Sequence, residues 1–497
     1  MHLYAATNIL MQVNCITSRS SKTHEINVDK GLKSKRRYKS LQEKGLTFKN
    51  LANFYMLHKP KHTGQSSLFS TLEDQLDSNH PLYLLAHEID WLVFEKAFAH
   101  HYSSNMGKPA KPIRLMVSLL ILKQLRNLSD ENIVVTWSEN LYFQYFSGEQ
   151  CFVPKVPCSA TELVEFRKRI GTAGVELILK ESIRVNGKDG DEDTLSADTT
   201  VQEKNITYPT DTKLHKKIIA KCIGIARTED IELRQSYKFT IKKLQILLRF
   251  QHRKNGSSAA RKARKKIKTI AGRLVRDVSR KLSAERFSIH RQQLAVYEKV
   301  LSQKRSDSNK IYSLHEPGVK CYTKGKEHKK FEFGSKASVL VTQKTGVIVG
   351  AISFNDTMHD SKTLPDVIDQ YERLTDKKPK EIFVDRGYRG SQQVKDVNIY
   401  VPQTKKAITK AQRKKHCRRA AIEPVIGHLK QDYRLSRNFL KGNLGDAINL
   451  MLSAAAMNFK RVMNLWLTEA TLCWKLILEL LFHIYGDFYT SKFKTTF

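Results

Sequence analysis

The chain reads as an α/β protein with an all-α segment ahead of the sheet and a helical, basic insertion inside it. Three observations carry this. Between Thr194 and Val401, short runs rich in Val, Ile, Phe and Thr are separated by turn residues, the pattern of strands. From Leu82 to about Ser182 the apolar residues recur instead at helical spacing. Between Thr212 and Arg305 helical spacing continues, but lysine and arginine crowd the polar positions.

Residues 1–75 are polar and basic, with Lys33-Ser-Lys-Arg-Arg37 at their middle. They read as a leader without regular structure, or as an arm that grasps a polyanion. Met1 to Ser21 lacks a basic start, and Asn8, Gln12 and Asn14 interrupt its apolar residues, which argues against a signal peptide. Residues 76–185 form the helical segment. Leu85, Ile89, Leu92 and Val93 make one stripe, and Pro112 opens a helix from Ile113 to Lys123. Ser129 caps the next helix, Asp130 to Trp137, and Ser159-Ala-Thr-Glu162 has capping-box spacing. Helix, tight turn and helix are the outline of a helix-turn-helix DNA reader and equally of a structural bundle.

The α/β domain spans residues 190–465. Thr194-Leu-Ser-Ala-Asp198 is a short strand running into an acid, and Glu381-Ile-Phe-Val-Asp385 repeats the pattern, with Gly387 available for a tight turn. An acid at the C-terminal end of a strand projects into the crevice where open α/β sheets hold their sites. Phe331–Thr342 and Val347–Ser353 form a hairpin through Lys344-Thr-Gly346; a helix follows from Asp360 to Leu374, and a last strand from Val397 to Val401. Helix capping accounts for both Asp360 and Asp211.

The insertion, 212–305, has its densest charge at Arg261, Lys262, Arg264, Lys265, Lys266 and Lys268, continued by Arg273 and Arg276. Ile267, Ile270, Leu274, Val275 and Val278 keep one side apolar. It is either a solvated hairpin or a clamp on DNA phosphates, and the mutual repulsion of so many cations favours the clamp.

Near the end of the domain, His416, Arg419, Glu423 and Lys430 stand at offsets 0, 3, 7 and 14. One continuous helix gathers all four within an arc of roughly 60°. Ile422, Val425, Ile426 and Leu429 fall on the neighbouring face and anchor it. A carboxylate held among cations suits a metal-binding acid that meets a polyanion. Two strand acids and one helix acid can hold a pair of divalent cations for phosphoryl transfer.

Composition agrees. The chain has 86 Lys+Arg against 49 Asp+Glu, a net charge of +37, which points to a polyanionic partner and salt-sensitive binding. Its seven cysteines lack metal-finger spacing and read as thiols, as in a cytosolic protein. The apolar run from Leu465 to Ile484 is interrupted by Glu469, Lys475 and Glu479, so residues 466–497 read as an amphipathic helix and tail and not as a membrane span.

In order, Asp198, then Asp385-Arg-Gly-Tyr388, then an Arg-x3-Glu-x6-Lys helix resemble the DDE transposases of bacterial insertion sequences, over most of the chain from about Leu82 to Leu465. The resemblance implies an RNase H-like catalytic domain, a mixed sheet flanked by helices. It implies that Asp198, Asp385 and Glu423 hold two Mg²⁺ ions, with Mn²⁺ able to substitute. Arg419 and Lys430 would neutralise phosphate charge and His416 would orient the scissile bond. The implied partner is double-stranded DNA, both element ends and target, cut and joined by a homodimer in the bacterial cytoplasm. Many relatives carry Tyr where this chain has His416. The alternatives are a captured transposase that binds DNA without cutting, and another RNase H-like nuclease.

Overall fold

The computed structural model describes residues 71–102, 110–252, 256–304, 306–323, 330–390, 393–402 and 409–493, with side chains as far as 468. The leader up to residue 70, with its Lys33-to-Arg37 run, lies outside the described residues.

Among the described residues seven helices precede the sheet: α1 (Leu72–Gln75), α2 (Pro81–Glu88), α3 (Trp91–Ala99), α4 (Ile113–Leu125), α5 (Asp130–Glu139), α6 (Leu141–Phe146) and α7 (Ala160–Val185), the last kinked at Gly171. The expected caps form: Ser129 accepts from Asn132 N at 3.1 Å, and Ser159 and Glu162 make a reciprocal capping box. Every residue of α4 from Leu115 to Leu125 is buried, and the buried Gln124 amide donates to Tyr433 O and Ser453 Oγ. On α5 the exposed residues are Glu131, Asn132, Val135 and Glu139. These helices share one continuous core with the sheet instead of closing a core of their own.

A buried charge cluster ties α4, α5 and α7 together. Asp130 accepts from Lys123 Nζ at 2.7 Å and from both terminal nitrogens of Arg167, at 2.8 and 2.6 Å. Burial pushes the Asp130 carboxyl up, but the Arg167 hydrogen bond and the Lys123 charge outweigh it and bring it down to about 2. Removing one member of such a cluster strands the others. Asp130→Asn is expected to cost about 3–5 kcal/mol in urea unfolding. Because the folded carboxyl lies below its unfolded value, the wild-type advantage is full above pH of about 4 and fades as pH falls toward about 2.

The sheet comprises β1 (Thr194–Glu203), β2 (Lys320–Thr323), β3 (Phe331–Thr342), β4 (Ile348–Phe354), β5 (Glu381–Phe383), β6 (Gln393–Val394) and β7 (Val397–Tyr400). It is mixed. β1 and β4 flank β3, both antiparallel; β5 runs parallel to β1 and β7 parallel to β5; short β2 and β6 add to β3 and β7. The flanking helices are α12 (Leu364–Thr375), α13 (Lys410–Arg419), α14 (Ile422–Gln431) and α15 (Gly442–Phe493). α12 and α15 pack on β4, α13 on β5 and α14 on β1. Asn458 of α15 satisfies both backbone groups of Ile348, donating to its carbonyl and accepting from its N–H at 2.9 Å each. The boundary expected at 466 is absent: α15 runs unbroken from Gly442 through that position. No helix among the described residues is long and apolar enough to cross a membrane.

Among the described residues the insertion comprises four helices between β1 and β2, α8 (Asp211–Thr228), α9 (Lys238–Arg249), α10 (Gly256–Lys281) and α11 (Ala284–Ser302). It has its own core, built on Ile218, Cys222, Ile267, Leu274 and Tyr297. Thr210 caps α8 by accepting from Lys213 N, so Asp211 is the first helical residue and not the cap. α10 buries the predicted stripe, while Arg261, Lys262, Arg264, Lys265, Lys266, Lys268, Arg273 and Arg276 are all exposed on it.

Candidate active site at the end of β5

β1 is longer than the sequence suggested. It continues to Glu203, so Asp198 lies mid-strand. What ends is its neighbour: β5 stops at Phe383, paired with Ser196. Two residues further along both parallel strands stand Asp198 and Asp385, side by side just past the last paired rung. The crevice is therefore made by the short strand and not by the long one.

Asp385 caps a single 3₁₀ turn, Arg386–Tyr388, with its Oδ1 accepting from Gly387 N at 2.9 Å. A Cβ on Gly387 would lie 2.9 Å from Asp360 Oδ2 and 3.0 Å from Asp385 Oδ1, so the two carboxylates face each other across the glycine. The requirement for glycine is space, where a tight turn alone was expected. Asp360 differs from expectation too. His359 caps the 3₁₀ turn Asp360–Thr363, and the Asp360 carboxylate turns to the site, accepting from Thr199 Oγ1 and Lys336 Nζ, both at 2.7 Å. Burial raises the Asp198 carboxyl to about 6; neighbouring Asp385 and Asp360 add to this, while the Thr199 N–H, at 2.7 Å, and Arg419 oppose it. Behind them Tyr388 is fully buried, and burial, with the nearby charges of Asp198 and Asp360, pushes its phenol well above the usual range.

The continuous helix expected across His416 to Lys430 is broken. Ala420, Ala421 and Glu423 bond to the carbonyls three residues back, a tight link between α13 and α14. Pro424 is the cause: it has no N–H for the Ala420 carbonyl and its ring crowds that oxygen. Beyond the break the anchor is as expected, with Ile422, Val425 and Leu429 buried. Arg419, only 15% exposed, stands between two acids, 3.9 Å from Asp198 Oδ2 and 3.7 Å from Glu423 Oε1. Glu423 is 67% exposed. The structure thus brings Asp198 and Asp385 together and leaves Glu423 across Arg419 from them. Among the described residues no three His, Cys, Asp or Glu are gathered closely enough to hold a metal.

His416 meets Phe383 edge-on at 5.1 Å, and burial followed by the Arg419 charge lowers its pKa, favouring neutral imidazole. Lys430 is half-buried on α14. The residues that lock α13 in place escaped the sequence reading: Arg418 donates to Gln343 O and Lys344 O at 3.2 and 2.7 Å, Gln343 donates to Lys415 O, and Lys415 pairs with Glu381. They are ordinary surface residue types whose partners lie some 30 to 75 positions away in the chain, so no local pattern marks them. The basic residues of α10 lie on the exposed side of a helix whose apolar side builds the separate insertion core, and they are not among the residues around Asp198.

The donor chemistry of Asp198 and Asp385 fits a divalent cation: hard carboxylate oxygens side by side past the last paired rung of two parallel strands, one of them raised in pKa by burial and by its acidic neighbours. Residues 70–169 match a family described as Transposase domain (DUF772), and residues 284–459 match one described as Transposase DDE domain. The second match contains Asp385, Arg419, Glu423 and Lys430; Asp198 precedes it, on the far side of most of the insertion. The chain is also similar to an uncharacterized protein, ORF8 in the nfe locus of Rhizobium meliloti, with 37% identity over 193 residues, 38% of this chain and 93% of the relative. No solved structure matches. With two transposase families matched in order, and the second enclosing the acid-bearing turn and helix, this chain belongs to the DDE transposases of insertion sequences and is a DNA transposase.

Proposed function

We propose that the protein binds the ends of its element and catalyses metal-dependent cleavage and strand transfer through Asp198, Asp385 and Glu423. The observation that carries this is the register that sets Asp198 beside Asp385, with Arg419 reaching from α13 to Asp198 and Glu423. The strand order β4-β3-β1-β5-β7, antiparallel then parallel, supports the RNase H-like reading of the domain. Asp198 and Asp385 would hold divalent metal, Mg²⁺ in the cell with Mn²⁺ able to replace it, and Glu423 would complete the ligand set of two ions. Bound metal supplies Lewis-acid activation of the attacking and departing oxygens.

The chain's own residues do the rest. Arg419 lies against two carboxylates here, and a DNA phosphate competes with both for its guanidinium; binding DNA would release Glu423 toward the aspartates. Lys430 adds charge to the phosphate path. His416, favoured in its neutral form, orients by hydrogen bonding and contributes little charge. The exposed cations of α10 would grip the flanking duplex. Pairing two element ends calls for a homodimer, working on DNA in the bacterial cytoplasm.

The test is to incubate the protein with DNA carrying the element's own ends and Mg²⁺ or Mn²⁺, wild type beside Glu423→Gln, on a denaturing gel. Strand-specific nicks lost in the variant support the reading; tight binding with no cuts by either protein points to a captured DNA binder. Gly387→Ala is expected to cut about a hundredfold more slowly while binding DNA normally, since its Cβ displaces the Asp385 carboxylate from its place. Single-turnover cleavage and a gel-shift titration separate the two effects.

A further inference from the structure

We infer that Lys336 and Asp360 form a positioning pair that sets how tightly the acid site binds divalent metal. The inference rests on the reading of Asp198 and Asp385 as metal ligands. Lys336 lies on β3 opposite Val201 of β1, and its side chain is only 13% exposed. Its ammonium donates to Asp360 Oδ1 at 2.7 Å and to Met358 O at 2.6 Å. The same Asp360 oxygen takes the hydroxyl of Thr199, the residue after Asp198. The other oxygen faces Asp385 across Gly387.

Asp360 is thus a third carboxylate in the field of Asp198 and Asp385, with one oxygen pinned and the other turned toward Asp385. Two cations, Lys336 and Arg419, stand against these three acids. Arg419 is shared with Glu423 and sits where DNA would draw on it, whereas Lys336 is held by the protein, at the Asp360 carboxylate and the Met358 carbonyl. Lys336 therefore sets the resting potential at the site.

A bland role is available: the pair staples the segment after β4 to β3. The two roles differ in sign. Loss of a staple weakens metal binding whichever partner is removed. A field role moves the affinity in opposite directions, because Lys336→Met makes the site more negative and Asp360→Asn makes it less so.

The experiment is Mn²⁺ binding to the full chain at fixed ionic strength, with free Mn²⁺ read by electron paramagnetic resonance, and thermal unfolding recorded for every variant. The Mn²⁺ Kd is expected to fall about tenfold in Lys336→Met and to rise about tenfold in Asp360→Asn. Lys336→Arg, which keeps the charge, should stay near wild type, and the double variant should return toward it. Weakening in both single variants, or no shift in either while Asp385→Asn abolishes binding, overturns the inference. Mn²⁺ binding untouched by Asp385→Asn overturns the ligand assignment beneath it instead.

Discussion

Asp385→Asn should bind element-end DNA as tightly as wild type and cut it at less than about one-thousandth of the wild-type rate, a loss of roughly 4 kcal/mol of transition-state stabilisation. The substitution keeps the shape of the side chain and its bond from Gly387 N, since an amide oxygen accepts as a carboxylate does. What it removes is the charge, and the charge is what a divalent cation needs from this position. DNA binding should survive because the exposed cations of α10 are untouched. Single-turnover cleavage with Mg²⁺ beside a binding titration checks both halves. Substantial cleavage by a well-folded variant would sink the assignment.

The second large effect concerns α10. Replacing Lys262, Lys265, Lys266 and Lys268 together by Gln is expected to weaken DNA binding about a hundredfold or more near 0.1 M salt. The slope of log affinity against log salt should fall by roughly three to four, because each neutralised phosphate contributes about 0.9. All four side chains are exposed, and the helix is held by its opposite face, so the fold should be unaffected. Titrations at several salt concentrations decide it. A slope equal to that of wild type would mean that the helix is merely solvated.

Much of the architecture was open to a sequence reading because it is written in local pattern. The caps at Ser129 and Ser159, the apolar stripe of α10 and the β3–β4 hairpin all depend on neighbours a few positions apart, and all form as expected. The misreadings share a different cause. That Asp198 lies mid-strand follows from the pairing of β1 with β3 out to Glu203, and that it still borders a crevice follows from where β5 stops, both facts about distant partners. The role of Asp360 depends on Lys336 and Thr199, the latter 161 positions away. The break between α13 and α14 is the exception: Pro424 was in view, and the helical spacing on either side masked its meaning. Burial of α4 on all sides was likewise visible in its run of apolar residues, yet Lys123 and Gln124 within it are buried only because Asp130, Ser453 and the Tyr433 carbonyl receive them.

α15 bears on how the protein is made. Leu450, Met451, Ala454 and Phe459, near the end of the described side chains, belong to the same core as Leu82, Phe94 and Val117 near its beginning. A nascent chain cannot close that core until the ribosome has passed them. The insertion is different, because its core is complete by about Ile311 and can settle first. Any messenger broken within the last quarter of the coding region would then yield a folded basic insertion attached to an unfinished body, a fragment that, on the role proposed for α10, would occupy DNA without acting on it.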